Sequence, residues 1–132
     1  MRQYLSGTAN QRTQKSKLDM SVADERANLD AFMSRLPIPE QVVCEDLPLG
    51  DRPARKVLPN DLAADAAALF FHGGGSRVGP LDGYKSFMAY LALACGVPVY
   101  GLDYRLSPEH TYPAALNDAV SAFVELSQSV AP

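Results

Sequence analysis

The pattern of apolar and polar positions divides the chain into a polar beginning and a patterned remainder. Residues 1–20 are polar, with four basic side chains and no apolar core of signal-peptide length, so we expect a flexible segment there. Ser21 and Asp24 then have capping-box spacing, and apolar residues recur at the helical period until Pro37. This pattern predicts a helix that begins near Ser21 and ends before Pro37.

The following residues predict alternating strands and helices. Two weak strands are expected between Glu40 and Leu58, with a turn at residues 49–51. The runs Ala66–Phe71 and Val97–Tyr104 are apolar, as in strands buried inside a parallel sheet. Each run precedes a helical pattern, which implies right-handed crossovers and an α/β fold with a mostly parallel sheet. The helices are expected from Asp82 to Cys95, with Phe87, Met88, Leu91, Ala94 and Cys95 on the buried side, and from Pro113 to about Gln128.

Length, charge and cysteine spacing exclude several classes of protein. The chain has 132 residues, of which 47% are hydrophobic, which suits one small globular domain. The net charge is −3 and no basic block is present, so neither a nucleic acid nor an anionic membrane is expected as a partner. No window reaches the length of a membrane span. Cys44 and Cys95 lack metal or redox spacing, which predicts reduced, buried thiols, no metal site and a cytoplasmic location.

Three glycines follow the first apolar run, in the tetrapeptide His72–Gly75. Glycine leaves backbone N–H groups open to approach, and such donors can stabilise negative charge that develops on oxygen. A phosphate-binding P-loop is disfavoured because Pro80-Leu81 replaces the lysine and hydroxyl residues, and a dinucleotide fingerprint fails because Val78 replaces its third glycine. An oxyanion loop fits the sequence. A structural turn that uses glycine for positive φ is the alternative.

A second motif follows the next predicted strand and makes a family resemblance specific. Together with the glycine tetrapeptide, it resembles the hormone-sensitive-lipase-like branch of the α/β-hydrolases, a family of carboxylesterases and lipases. The resemblance implies the amino-terminal half of an α/β-hydrolase fold, with residues 21–39 as a lid-like helix and residues 40–132 as strands and helices that precede the nucleophile elbow. The resemblance extends from about Leu69 to Phe123 and rests on His72–Gly75, Gly79, Asp103–His110, Tyr112–Ala115 and Asp118.

The resemblance also implies roles for individual residues. In the family, the N–H groups that match Gly74 and Gly75 donate to the oxyanion, while His72 and Gly73 shape the loop. Arg105 and Glu109 are expected to pair with each other or to bind backbone, and His110 is expected to be structural. Ser76 departs from the bulky residue common in the family, which affects the expected shape of the acyl pocket.

The catalytic serine, acid and base of such an enzyme are not expected among these residues. The nucleophile should lie in a G-x-S-x-G pentapeptide, which this sequence does not contain. We therefore expect a fragment of a serine carboxylic-ester hydrolase for short or medium acyl esters, inactive alone and without a cofactor. An oligomer or a complementing carboxy-terminal half would cover its open sheet edge. The alternative is a non-catalytic remnant that acts as a structural or association module.

Overall fold

The computed structural model describes residues 20–62 and 65–130, which form one sheet with helices on both faces. The flexible segment expected over residues 1–20 lies outside the described residues except for Met20. None of the described helices is long and apolar enough to cross a membrane. The elements in chain order are α1 (Val22–Met33), β1 (Val42–Leu49), β2 (Arg52–Pro59), β3 (Ala68–Phe70), a 3-10 helix (Leu81–Tyr84), α2 (Lys85–Cys95), β4 (Val99–Leu102) and α3 (Ala114–Val130).

The sheet confirms the α/β class and has the strand order β1-β2-β4-β3. The pairs β1–β2 and β2–β4 are antiparallel, and β3–β4 is parallel. The described sheet is therefore mixed, whereas the sequence pattern predicted a mostly parallel one. The predicted turn at Gly50 joins β1 to β2, and a connection this short can join only antiparallel neighbours.

Helix α1 begins with the predicted capping box. The Asp24 N–H donates to Ser21 Oγ at 3.2 Å, and the Ser21 N–H donates to the Asp24 carboxylate at 3.3 Å. The helix ends at Met33, earlier than the residue before Pro37, and the Ser34 N–H caps it by donating to Asp30 O at 2.9 Å. No residue of α1 is fully buried, so this helix lies against the domain without entering its core.

Two apolar clusters lie on opposite faces of the sheet. Alternation along β2 and β4 sends neighbouring side chains to opposite faces, as the period of a strand requires. Gly101 in β4 permits close approach, because a Cβ there would lie 2.6 Å from Met88 Sδ. The cluster under α3 contains Leu49, Ala54, Leu102, Tyr104, Ala122 and Leu126, and the cluster under α2 contains Val57, Leu81, Met88, Ala89, Ala92 and Val99.

The buried face of α2 differs from the predicted one. Met88 is buried as expected, but Phe87, Ala94 and Cys95 are exposed. Small side chains face the sheet, since Ser86, Ala89 and Ala92 join Met88 as the buried residues of this helix. The prediction of buried thiols was also wrong, because Cys44 and Cys95 are both exposed and free. Gly96 caps the helix in the left-handed conformation, as predicted.

Candidate active site

The glycine loop follows β3 directly and closes into a tight turn. The N–H groups of Arg77 and Val78 both donate to Gly74 O, each at 3.1 Å. Gly74 has φ of +126° and Gly75 has φ of +62°, conformations that L side chains rarely adopt. A Cβ on Gly74 would lie 1.9 Å from Val78 O, so only glycine fits at that position.

The amides of the glycine loop are open. Within the described residues, neither the Gly74 N–H nor the Gly75 N–H donates a hydrogen bond, and both residues are exposed. The neighbouring carbonyl groups are engaged, since Gly74 O accepts the turn bonds and Gly73 O accepts from His72 Nδ1 at 2.9 Å. The loop therefore presents two consecutive free donors on a backbone that is held through its carbonyl groups.

His72 is almost completely enclosed, with 3% of its surface exposed. Its ring stacks between Tyr104, at a centroid distance of 4.3 Å, and Tyr84, at 5.5 Å. Tyr104 Oη donates to His72 O at 2.5 Å, and the bond to Gly73 O places the ring proton on Nδ1. Nε2 is buried and has no partner among the described residues. Burial lowers the pKa of His72, although the bond to Gly73 O opposes this shift, so the environment favours the neutral form of the ring.

Gly79 completes the packing around this histidine. It has φ of +113°, and a Cβ there would lie 2.5 Å from His72 Nδ1 and 2.5 Å from Gly73 O. A side chain at position 79 would push the imidazole away from its carbonyl acceptor. The spacing from Gly74 to Gly79 matches the glycines of a P-loop. In this structure, however, Gly79 is required for close packing against His72.

The second motif is held by a buried carboxylate on α3. Asp118 accepts from Arg105 Nη2 at 2.6 Å, from Arg105 Nε at 3.0 Å and from the Arg105 N–H at 2.9 Å. Burial disfavours the Asp118 anion, but the bonds from Arg105 outweigh it and hold the pKa of Asp118 below its usual value. One of the predicted alternatives was a pair between Arg105 and Glu109. The structure contradicts it, because Arg105 pairs with Asp118 and Glu109 pairs with Arg26.

The two loops singled out in the sequence are joined directly. The Ser107 N–H donates to Ser76 O at 2.7 Å. Arg26 of α1 bridges them by donating to Arg77 O and to Ser107 O, each at 2.8 Å. Sequence reasoning missed Arg26, since a single arginine on an amphipathic helix carries no signal of what it contacts. His110 lies in an exposed turn, where its N–H donates to Leu106 O at 2.9 Å.

Two further features bear on the chemistry available. Among residues 20–62 and 65–130, no group of three or more His, Cys, Asp or Glu side chains is placed to hold a metal ion. A cavity of about 790 Å³ lies beside the β1–β2 hairpin and the 3-10 helix, and its lining includes Arg52, Arg55, Leu81 and Asp103 but no residue of the glycine tetrapeptide. The chemical groups of the candidate site are therefore its backbone amides.

Comparison with known proteins identifies the class. A family model described as the alpha/beta hydrolase fold matches residues 68–131. The carboxylic ester hydrolase LipN of Mycobacterium tuberculosis is 36% identical over 112 residues, which are 81% of this chain and 30% of that protein. Ethyl acetate hydrolase of Pseudomonas putida is 45% identical over 60 residues, 46% of this chain and 19% of that protein. The chain spans less than a third of the length of either relative.

Solved structures give the same answer. A hormone-sensitive lipase from a metagenome library superimposes with a TM-score of 0.80 at 32% identity, covering 85% of this chain and 37% of that one. An esterase of the bacterial hormone-sensitive lipase family has a TM-score of 0.78 at 29% identity, covering 83% of this chain and 37% of that one. The fold and the glycine loop thus define an α/β-hydrolase. More narrowly, the chain belongs to the hormone-sensitive-lipase-like branch, and the partial coverage fits its amino-terminal part.

Proposed function

We propose that this chain supplies the oxyanion-hole loop of a serine carboxylic-ester hydrolase that acts on short- or medium-chain esters. The N–H groups of Gly74 and Gly75 bind the negatively charged oxygen of the tetrahedral adduct, and His72 and Gly73 shape the loop. The observation that carries the proposal is the pair of consecutive amides behind β3, exposed and without acceptors among the described residues. Donors held in place before reaction need no reorganisation when the charge develops.

The rigidity of the loop supports this role. Gly74 O accepts the two bonds of the turn, and the His72 ring, fixed between two tyrosines, holds Gly73 O. Both carbonyl groups are thus occupied as acceptors, while the two amides beside them stay open to a ligand. One oxyanion donor contributes roughly 10²- to 10³-fold to kcat in enzymes of this chemistry.

In this proposal the nucleophile, base and acid lie on another part of the enzyme. The sequence of 132 residues has no G-x-S-x-G pentapeptide, and neither of its two histidines, His72 and His110, is at the position that the catalytic base occupies in the resembled family. His72 Nδ1 is committed to Gly73 O and its Nε2 is buried. Triad hydrolysis needs no metal or organic cofactor, so the proposed substrate is a small-molecule ester alone. The relatives named as a carboxylic ester hydrolase and an ethyl acetate hydrolase support that class.

A second candidate is a non-catalytic association module. The exposed apolar side chains of α3, which we call the apolar α3 surface, favour it: Leu116, Val120, Phe123 and Val124. Beside this surface, β3 is the edge strand of the described sheet, and a cavity of about 350 Å³ lies between β3 and α3. An unpaired edge next to apolar surface is a template for association.

Hydrolysis of p-nitrophenyl acetate and butyrate distinguishes the two candidates. The purified chain is assayed alone and mixed with a polypeptide from a related esterase that carries the G-x-S-x-G elbow and the later Asp and His. We expect activity only in the mixture. Gly74→Ala keeps the N–H group, but its Cβ would lie 1.9 Å from Val78 O and displace the loop, so we expect a loss of roughly 10²-fold in kcat. Activity of the chain alone that Ser76→Ala abolishes would contradict the proposal. Inactivity of the mixture, with binding retained, would favour the association module.

A further inference from the structure

Arg26 makes more long-range polar contacts to the two loops than any other side chain of α1. Its Nε donates to Arg77 O at 2.8 Å, and its Nη2 donates to Ser107 O at 2.8 Å. Nη1 and Nη2 also donate to the two carboxylate oxygens of Glu109, each at 2.8 Å. One guanidinium therefore joins α1, the glycine loop and the loop that follows β4.

The geometry requires an arginine. A guanidinium has five N–H donors in a fixed plane, so it can bind a carboxylate with two bonds while it serves carbonyl groups on its other edge. A lysine would retain the charge opposite Glu109 but could not reach all three acceptors from one fixed orientation. The side chain of Arg26 is 28% exposed, so these bonds are partly shielded from water.

A neighbouring contact acts at the same point of the loop. Glu25 accepts from Arg77 Nε at 3.0 Å and from Arg77 Nη2 at 3.1 Å. Two consecutive residues of α1 thus hold the side chain and the carbonyl of Arg77, whose own N–H closes the turn onto Gly74 O. No residue of α1 is fully buried, so these polar contacts hold the helix against the loop together with the packing of Met33 on Gly83 of the 3-10 helix.

We propose that Arg26 is a positioning residue for the glycine loop. By fixing Arg77 O against the loop after β4, it holds the turn that sets the direction of the Gly74 and Gly75 N–H groups. The consequence for catalysis rests on the proposed oxyanion role of these amides. The positioning itself does not, because it can be measured in the absence of any reaction.

The test is amide hydrogen exchange by NMR in the full 132-residue chain. The reporters are the N–H groups of Arg77, Val78 and Ser107, each bonded within or between the two loops. In Arg26→Ala we expect exchange roughly tenfold faster at these amides and unchanged exchange in β4, because loss of charge-assisted bonds opens the loop locally. Arg35→Ala is the matched control, since it removes an exposed arginine just beyond α1.

The outcomes separate this inference from the proposed function. Wild-type exchange in Arg26→Ala overturns the inference. If Arg26→Ala loses protection throughout the sheet, the same exchange measurement is made on Arg26→Lys. That variant keeps the positive charge but lacks the planar set of N–H donors, so wild-type exchange in it would also overturn the inference. In the complemented enzyme, both variants should lower kcat roughly tenfold with KM unchanged, the pattern of a contact that acts in the transition state. Faster exchange together with an inactive wild-type mixture would retain the positioning role and reject the oxyanion function.

Discussion

The glycine-loop region and the apolar α3 surface are built on opposite principles. Around the loop, polar groups find partners nearby: Ser107 meets Ser76, Arg26 meets Arg77 and Glu109, and Asp118 meets Arg105. On α3, large apolar side chains face outward, and Phe123 is 61% exposed. The geometry of the glycine-loop region is held by hydrogen bonds among the described residues. The apolar α3 surface, in contrast, is not covered by any of the described residues.

The two regions therefore depend on different interactions: the glycine loop on hydrogen bonds, and the apolar α3 surface on burial of apolar area. Hydrogen bonds are directional, so the loop can hold its backbone with a few well-placed partners. Hydrophobic stabilisation is proportional to the area removed from water, so an uncovered surface contributes little until something packs on it. A site of this kind can be preformed while the domain that carries it still has surface to bury. Substitutions in the glycine-loop region should therefore change the stability of the fold, whereas substitutions on the apolar α3 surface should mainly change association.

The largest expected effect is at Gly74. Gly74→Ala places a Cβ 1.9 Å from Val78 O at φ of +126°, so we expect the free energy of unfolding to fall by about 3 kcal/mol. Gly96→Ala is the matched control, because Gly96 has φ of +64° and open space around it, and should cost about 1 kcal/mol. Urea denaturation of both variants measures the difference. Equal costs would show that the turn relaxes without strain.

A smaller, pH-dependent effect is expected at Glu109. The hydrogen bond from Arg26 lowers the pKa of Glu109 from 4.5 to about 2. A carboxylate with a depressed folded-state pKa stabilises the fold fully above its unfolded value, and that contribution is lost as the pH falls toward the folded value. Because water screens this largely exposed pair, Glu109→Gln should melt only slightly below the wild type at pH 7, and the gap should close as the pH falls from 4.5 to about 2. A gap that persists at the acid end of this range would contradict this account.

The smallest effect on stability is expected on the apolar α3 surface. Phe123→Ser should change the free energy of unfolding by less than about 0.5 kcal/mol, because the ring is largely in water already. If the chain self-associates through this surface, as the association-module proposal expects, Phe123→Ser should weaken that association in sedimentation velocity over a range of concentrations. Gln128→Ser, an exposed polar change on the same helix, is the control. A clear loss of stability in Phe123→Ser would mean that this surface packs within the monomer.

The candidate site was only partly predictable. The sequence predicted the glycine tetrapeptide as a loop after a strand, because glycines and apolar runs are local features of the sequence. The partners of the second motif were not: Arg105 binds Asp118, and Glu109 binds Arg26, 83 residues away. No periodic pattern encodes which charged side chains meet when distant segments come together.

The sequence by itself determined the capping box at Ser21, the hairpin turn at Gly50, the left-handed cap at Gly96 and the glycine loop after β3. Each of these depends on the conformational preferences of a few consecutive residues. Only the tertiary structure decided the strand directions, the face of α2 that is buried and the attachment of α1 to the loop through Arg26. These features depend on which apolar surfaces are buried against each other and which charged side chains come into contact. Both are determined by the packing of the whole chain rather than by neighbouring residues.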